Sequence, residues 1–148
     1  MVTQANNGAP PGSVSSYQIL ANGTAQAITN TLVTGTQLAP CWNAITSNGK
    51  YVYTVNTASA SISAIEVDSH TGTLTLLNPV GAGGLAGLLP PGSGPNDTII
   101  LGNDVLYVNV AGTGQLAAFT IAKDGSLDEL FLSPAGTLPP HASGLVVR

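Results

Sequence analysis

Short apolar runs separated by polar breaks occur along the whole chain, and one arrangement of them occurs twice. It covers residues 40–77 and then residues 95–130. The runs are rich in Val, Ile, Tyr and Thr, and the breaks in Gly, Asn, Asp and Ser, which predicts β-strands joined by tight turns. The predicted strands lie near 42–47, 51–56, 61–67 and 73–78 in the first stretch, and near 97–101, 104–110, 115–121 and 127–132 in the second. No helical periodicity accompanies them, so the sequence predicts an all-β fold.

The two stretches correspond position by position. Tyr53 matches Tyr107, and the turn Thr71–Leu74 matches the turn Asp124–Leu127. Four strands in a repeat of about 40 to 50 residues are typical of a β-propeller blade. The sequence therefore predicts propeller blades of four antiparallel strands each.

The main alternative is a β-sandwich, in which one face of each sheet meets water. Sandwich strands should alternate strictly between apolar and polar residues. Residues 51–55 and 105–110 are instead nearly continuous apolar runs. Such runs indicate sheets that are covered on both faces, as blades are by their neighbours.

The repeat also predicts how the chain is divided. Each unit begins at a proline, and Pro40, Pro95 and Pro140 occupy equivalent positions. The predicted units are a partial blade at 1–33, full blades at 40–78 and 95–132, and the first strand of a further blade at 141–148. Because the first and last units are incomplete, the chain is expected to form an incomplete ring.

The repeated motifs resemble those of a known family, the lactonase-type seven-bladed β-propellers, which includes 6-phosphogluconolactonase and carboxymuconate-cyclase-like proteins. The segments that carry the resemblance are Ser47–Asn56, Ser61–Ser63, Thr71–Leu74, Leu106–Val108 and Asp124–Leu127. The resemblance implies a ring of seven blades, of which this chain would supply about three. It also implies partners: further copies of the chain, or the remaining blades of a longer propeller.

Charge and composition exclude several classes of function. Charged residues make up 7% of the 148-residue chain, against a usual ~25%. Lys50, Lys123 and Arg148 are the only basic residues, too few for the basic surface that nucleic acid or an anionic membrane requires. No apolar run of about 18 residues predicts a membrane-spanning helix. The single cysteine, Cys41, excludes an internal disulfide and is predicted to be buried.

The cellular location is predicted from composition alone. Residues 1–12 are polar and lack the apolar core of a signal peptide. Richness in Thr, Ser and Asn together with low charge nevertheless indicates a secreted or periplasmic protein.

Polar residues after the repeat prolines are the candidate ligand-binding residues. They would begin the first strand of each unit, and first strands line the central channel of a propeller. The candidates are Trp42, Asn43, Asn96, Asp97 and His141. The alternative is that these residues satisfy only local backbone groups. Cys41, His70 and His141 lack metal-ligand spacing, so we predict no metal and no cofactor.

Two glycine patterns fit a loose nucleotide-binding motif, G-x-G-x-x-A. They begin at Gly81 and Gly112. That motif requires a helix at the phosphate, whereas Leu89-Pro90-Pro91 follows the first and a predicted strand follows the second. Both are therefore interpreted as turns.

The function predicted from these observations is a non-catalytic binding or structural propeller module. Its basis is the scarcity of ionisable residues that could act as acid, base or cationic clamp. The alternative, a lactonase-like hydrolase acting on a sugar lactone, rests on the family resemblance alone, and the sequence leaves open whether the protein is an enzyme.

Overall fold

The computed structural model describes residues 1–6, 12–77, 86–139 and 141–146. Within them the regular structure consists of strands, and no α-helix occurs. The strands are β1 Val2–Gln4, β2 Ser13–Ile19, β3 Ala25–Val33, β4 Pro40–Ile45, β5 Tyr51–Asn56, β6 Ser61–Val67, β7 Leu74–Leu76, β8 Gly87–Leu88, β9 Pro95–Leu101, β10 Val105–Val110, β11 Gln115–Ile121 and β12 Leu127–Leu132. The predicted all-β fold class is confirmed. Among the described residues, no helix is long and apolar enough to cross a membrane.

The strands form three antiparallel sheets, which we call blades A, B and C. Blade A has the order β1-β2-β3, blade B the order β4-β5-β6-β7, and blade C the order β9 to β12 in sequence. In blades B and C each strand pairs with the next strand along the chain. The first strands of these blades, β4 and β9, lie beside each other.

The outer edge of β6 in blade B is shared by two short strands. β7 pairs with residues 65–67, and β8 pairs with residues 61 and 62. Nothing in the sequence pattern predicted β8. Gly87 permits this pairing, because a side-chain Cβ there would lie 3.2 Å from Ile62 and 3.4 Å from Phe119.

Two apolar clusters fill the two junctions between the blades. Val52 of β5 packs into the cluster shared with blade A, which contains Val14. Tyr51, Tyr53 and Val55 of the same strand pack into the cluster shared with blade C. All six residues of β5 are buried, which explains its nearly continuous apolar run.

A glycine turn of one blade is held by hydroxyl groups of the preceding blade. The Tyr53 hydroxyl donates to the Gly125 carbonyl at 2.9 Å, and the Tyr51 hydroxyl donates to the Lys123 carbonyl at 3.0 Å. At the junction between blades A and B, the Ser16 hydroxyl donates to the Gly72 carbonyl at 2.9 Å. Burial raises the pKa of the Tyr53 hydroxyl above its usual range, so this group remains a donor at physiological pH.

Residues 141–146 contain no strand, although the sequence predicted the first strand of a further blade at 141–148. A first strand is defined by its pairing with a second strand, and the described residues include no second strand of that unit. The proposed unit therefore stays a prediction, as do the other predicted blade limits. Residues 147 and 148 lie outside the described residues.

Candidate functional site

Hairpin turns and inter-blade connections meet at one end of the blades. The backbone N–H of Gly112 donates to the Ser93 carbonyl at 2.7 Å. The N–H groups of Gly136 and Leu138 donate to the carbonyls of Thr113 and Gly114 at 3.0 and 2.8 Å. We call this the connection end of the molecule. The backbone hydrogen bonds at this end form a framework that can hold side chains in place.

The turn at 111–114 depends on its glycines. A Cβ on Gly112 would lie 2.7 Å from the Ser93 carbonyl oxygen, and a Cβ on Gly114 would lie 2.7 Å from the Leu138 carbonyl oxygen. The first three residues of the pattern that begins at Gly112 thus lie in a turn, and its last three lie in β11. The pattern that begins at Gly81 falls on 81–86, of which only Ala86 is among the described residues.

Buried polar atoms without a partner are concentrated at the connection end. Four such side-chain atoms occur among the described residues: Asn56 Oδ1, Ser93 Oγ, Asn96 Oδ1 and Asn109 Oδ1. Asn56 ends β5, Ser93 precedes β9, Asn96 lies in the first part of β9, and Asn109 lies near the end of β10. Buried unpaired groups are uncommon and costly, at about 1–3 kcal/mol each. Their grouping makes this end of the fold the candidate site.

Three side chains of blade C hold the segment 142–145. The amide groups of Asn96 and Asn109 both donate to the Ala142 carbonyl, and the buried Asp97 carboxylate accepts the Leu145 N–H at 2.7 Å. Asn109 lies opposite Asp97 across the β9–β10 ladder, where a β-bulge admits Asn96 as an extra residue. We call these three residues the clamp.

His141 directly precedes the segment that the clamp holds. His141 adopts a left-handed backbone conformation, φ 58°, which is uncommon for a residue other than glycine. It is exposed and lines a pocket of about 560 Å³ together with residues 111–114 and 136–139. We call this the His141 pocket.

The five predicted site residues divide into two groups. The first group is Asn96, Asp97 and His141, because Asn96 and Asp97 hold the segment that follows His141. Trp42 and Asn43 instead line another pocket, of about 400 Å³, with Cys41 and residues 1–3. The Trp42 side chain is 54% exposed. The prediction that Cys41 is buried is wrong, because the bulge between Pro40 and Asn43 turns this residue outward.

The sequence analysis missed Asn109. Its signal was present in the repeat, because Asn109 occupies the position that corresponds to the buried Val55 of blade B. A polar residue at an apolar repeat position is a candidate for a specific hydrogen bond.

The other titratable candidates are not brought together. His70 lies in an exposed turn whose N–H groups at residues 70 and 71 donate to the Asp68 carboxylate. These bonds lower the pKa of Asp68. In the described part of the chain, no three side chains of His, Cys, Asp or Glu are grouped as metal ligands would be.

We expect replacement of Asn109 by leucine to loosen the clamped segment. Leucine has a similar size but cannot donate to the Ala142 carbonyl, and it removes the unpaired Oδ1. Hydrogen exchange of the Leu145 amide should become about tenfold faster, as measured by NMR. The matched control is Asn56→Leu, because the Asn56 amide donates to Ser61 and Ser63 instead. Unchanged Leu145 exchange in Asn109→Leu would contradict the clamp.

Three blades packed side by side, with adjacent first strands, define the class of protein as a β-propeller. The family model "Lactonase, 7-bladed beta-propeller" matches residues 2–143, and the chain belongs to this family. The resemblance inferred from the repeats is therefore confirmed. A comparison with curated proteins found no match.

Solved structures agree with this fold. A functionally unknown protein from Desulfotomaculum acetoxidans is 20% identical, with a TM-score of 0.68 over 87% of this chain. A candidate 6-phosphogluconolactonase from Bacteroides fragilis is 24% identical, with a TM-score of 0.65 over 84%. The periplasmic gluconolactonase of Pseudomonas aeruginosa is 20% identical, with a TM-score of 0.66 over 86%. The chain spans 38% of the length of each of these proteins.

Proposed function

We propose that this chain forms part of a lactonase-type propeller and that its His141 pocket binds a neutral sugar lactone. The observation that carries the proposal is the pocket itself. Its volume lies within the range of about 300–1,000 Å³ that is typical of small-ligand sites. Among the described residues that line it, His141 is the only titratable one.

The polar groups of the pocket suit a hydroxylated ring. Thr113 and Thr137 supply hydroxyl groups that can donate or accept. No cation lines the pocket within the described residues, and a phosphorylated sugar would call for one. Lys123 lies two residues after the end of β11, whereas the 111–114 turn directly precedes its start. This lysine is therefore at the opposite end of the strand. A neutral lactone therefore fits better than a phosphorylated one.

His141 would act as the general base in hydrolysis. A neutral imidazole can take a proton from a water molecule whose oxygen bonds to the lactone carbonyl carbon. The ring C–O bond then breaks, and the alkoxide that leaves receives the proton. The product is the open-chain hydroxy acid.

The second candidate is a module that binds the lactone without turnover. It is favoured by the absence, among the described lining residues, of a carboxylate that could orient the His141 imidazole. Both candidates share the pocket and differ only in the chemical step. For either one we propose a secreted or periplasmic location, which the periplasmic gluconolactonase neighbour supports.

The test that separates the two candidates is turnover of glucono-δ-lactone, followed by proton release. If His141 is the base, the rate should exceed spontaneous hydrolysis, and the catalysed part should fall at least ~100-fold in His141→Gln. His70→Gln is the control, because His70 lies in a different turn, and it should leave the rate unchanged. A rate equal to the spontaneous one would rule out the hydrolase and leave the binding module.

A further inference from the structure

The chain contains two matches to the N-glycosylation sequon Asn-x-Ser/Thr, at Asn22-Gly23-Thr24 and at Asn96-Asp97-Thr98. Modification requires an asparagine amide that can react and a hydroxyl group two residues later. It also requires room for a bulky glycan, so the acceptor must lie on the surface. The structure separates the two sequons on all three requirements.

The sequon at Asn96 is engaged in contacts within the fold. The Asn96 amide nitrogen donates to the Ala142 carbonyl at 3.3 Å, and the Thr98 hydroxyl donates to the Tyr107 carbonyl at 2.8 Å. Thr98 is also buried. A glycan on Asn96 would displace the segment that the clamp holds, so this sequon is incompatible with modification in the folded chain.

The sequon at Asn22 presents its reactive groups to solvent. Asn22, Gly23 and Thr24 are exposed and lie in the turn between β2 and β3. The Asn22 Oδ1 accepts the Thr24 N–H at 3.0 Å and the Thr24 hydroxyl at 2.7 Å, which fixes the side chain within the turn. No described residue bonds to Asn22 Nδ2, the nitrogen that a glycan would join. Nothing lies within 4 Å of a Cβ built on Gly23.

The exposure of Asn22 does not depend on whether another blade precedes blade A in a longer protein. The equivalent turn of blade C has the same two bonds: the Asp124 Oδ1 accepts the N–H and the hydroxyl of Ser126 at 3.0 and 2.7 Å. Gly125 is buried against blade B there, whereas Asp124 and Ser126 remain exposed. A blade placed before blade A would therefore cover Gly23 and leave Asn22 at the surface.

We propose that Asn22 is the acceptor of an N-linked glycan. The inference rests on the secreted location proposed above, by a eukaryotic secretory pathway, and not on lactone binding. The sugar donor is an oligosaccharide linked to a lipid pyrophosphate. The Asn22 Nδ2 forms a bond to the anomeric carbon of the first sugar and gives up one proton. The bond from that carbon to the pyrophosphate oxygen breaks, and the lipid pyrophosphate leaves with the electron pair.

A glycan at this turn suits the surface of the chain and leaves the His141 pocket open. Charged residues are only 7% of the chain, and a glycan adds solubility without charge. The turn at 111–114 precedes β11 at the connection end, so the turn that follows β11 lies at the other end of the blade. The β2–β3 turn is its equivalent in blade A, and the glycan would lie at that other end.

Secretion of the full chain from a eukaryotic host, followed by mass spectrometry of its glycopeptides, tests the proposal. The wild-type chain should carry a glycan on Asn22 and none on Asn96. Asn22→Gln and Thr24→Ala should each remove the glycan, whereas Thr24→Ser, which keeps a hydroxyl group, should retain it. Because the turn is exposed, peptide N-glycosidase should release the glycan without denaturant.

Asn48→Gln is the matched control. Asn48 also precedes a glycine in an exposed turn, but Lys50 stands two positions later in place of a hydroxyl residue, so this variant should keep the glycan. Lactone binding should be the same before and after release of the glycan, so failure of either proposal would be seen separately. A secreted chain without a glycan on Asn22, a glycan on Asn96 in the folded protein, or release only after denaturation would each overturn the proposal.

Discussion

Replacement of Tyr53 by alanine is expected to lower the free energy of unfolding by about 3–5 kcal/mol. The Tyr53 ring is fully buried between blades B and C, so its removal leaves a cavity that the flanking strands cannot close. The Gly125 carbonyl also loses its donor. Urea denaturation monitored by circular dichroism measures the change.

The matched control is Tyr107→Ala, studied at low protein concentration. Tyr107 holds the same position in the next blade but is only partly buried, so its loss should cost far less. Similar losses from the two variants would show that Tyr53 does not join the blades in the way described.

The second large effect is expected from Gly125→Ala, which should destabilise the fold by about 2–5 kcal/mol. A residue with a side chain at a positive φ costs about 1–2 kcal/mol. The added methyl group would also lie within 3 Å of Leu77 and Tyr51, and such overpacking costs about 1–3 kcal/mol. Denaturant unfolding measures both contributions together.

Gly49→Ala separates the two causes. Gly49 has a similar φ, but nothing lies near its Cβ position. The Gly49→Ala variant should lose only the conformational contribution to the free energy of unfolding, about 1–2 kcal/mol. If Gly125→Ala were no worse than Gly49→Ala, the close approach between blades would not be a determinant of stability.

The fold could be predicted because the same local chemistry is repeated. Tyr53 and Tyr107 lie at equivalent strand positions, and Gly72 and Gly125 in the equivalent turns both have a positive φ, 75° and 84°. Continuous apolar runs such as that of β5 correspond to burial on both faces. β8 could not be predicted, because a strand of two residues has no periodic pattern. The pairing of β8 also depends on where the connection that precedes it meets β6.

The site was predicted only in part, because it depends on contacts between segments distant in sequence. Asn96 and Asp97 were recognised from their position after a repeat proline, and both hold the segment after His141. Trp42 and Asn43 line a different pocket because of the bulge in β4. No local sequence pattern predicts this bulge. Asn109 was overlooked because its strand is otherwise apolar, although its position in the repeat distinguished it.

In this chain, the connection end and the clamp together position the residues that line the His141 pocket. Glycines at 112 and 114 allow two connections to approach the hairpin turn closely, and this approach forms one wall of the pocket. The clamp holds residues 142 and 145, which follow His141, another residue that lines the pocket. Ligand binding at this place would use groups from the turn, the connection and the segment at 141–146 together.

The most direct test of the account is an NMR titration of the chain with glucono-δ-lactam, in which an NH replaces the ring oxygen and hydrolysis is blocked. The account predicts saturable shifts of the amides at 112–114, 137, 138 and 141, with no shifts at the turn around Lys123. Asn109→Leu should weaken binding, whereas Asn56→Leu should not. An absence of saturable shifts at the His141 pocket, or shifts confined to other surfaces, would contradict the proposed function.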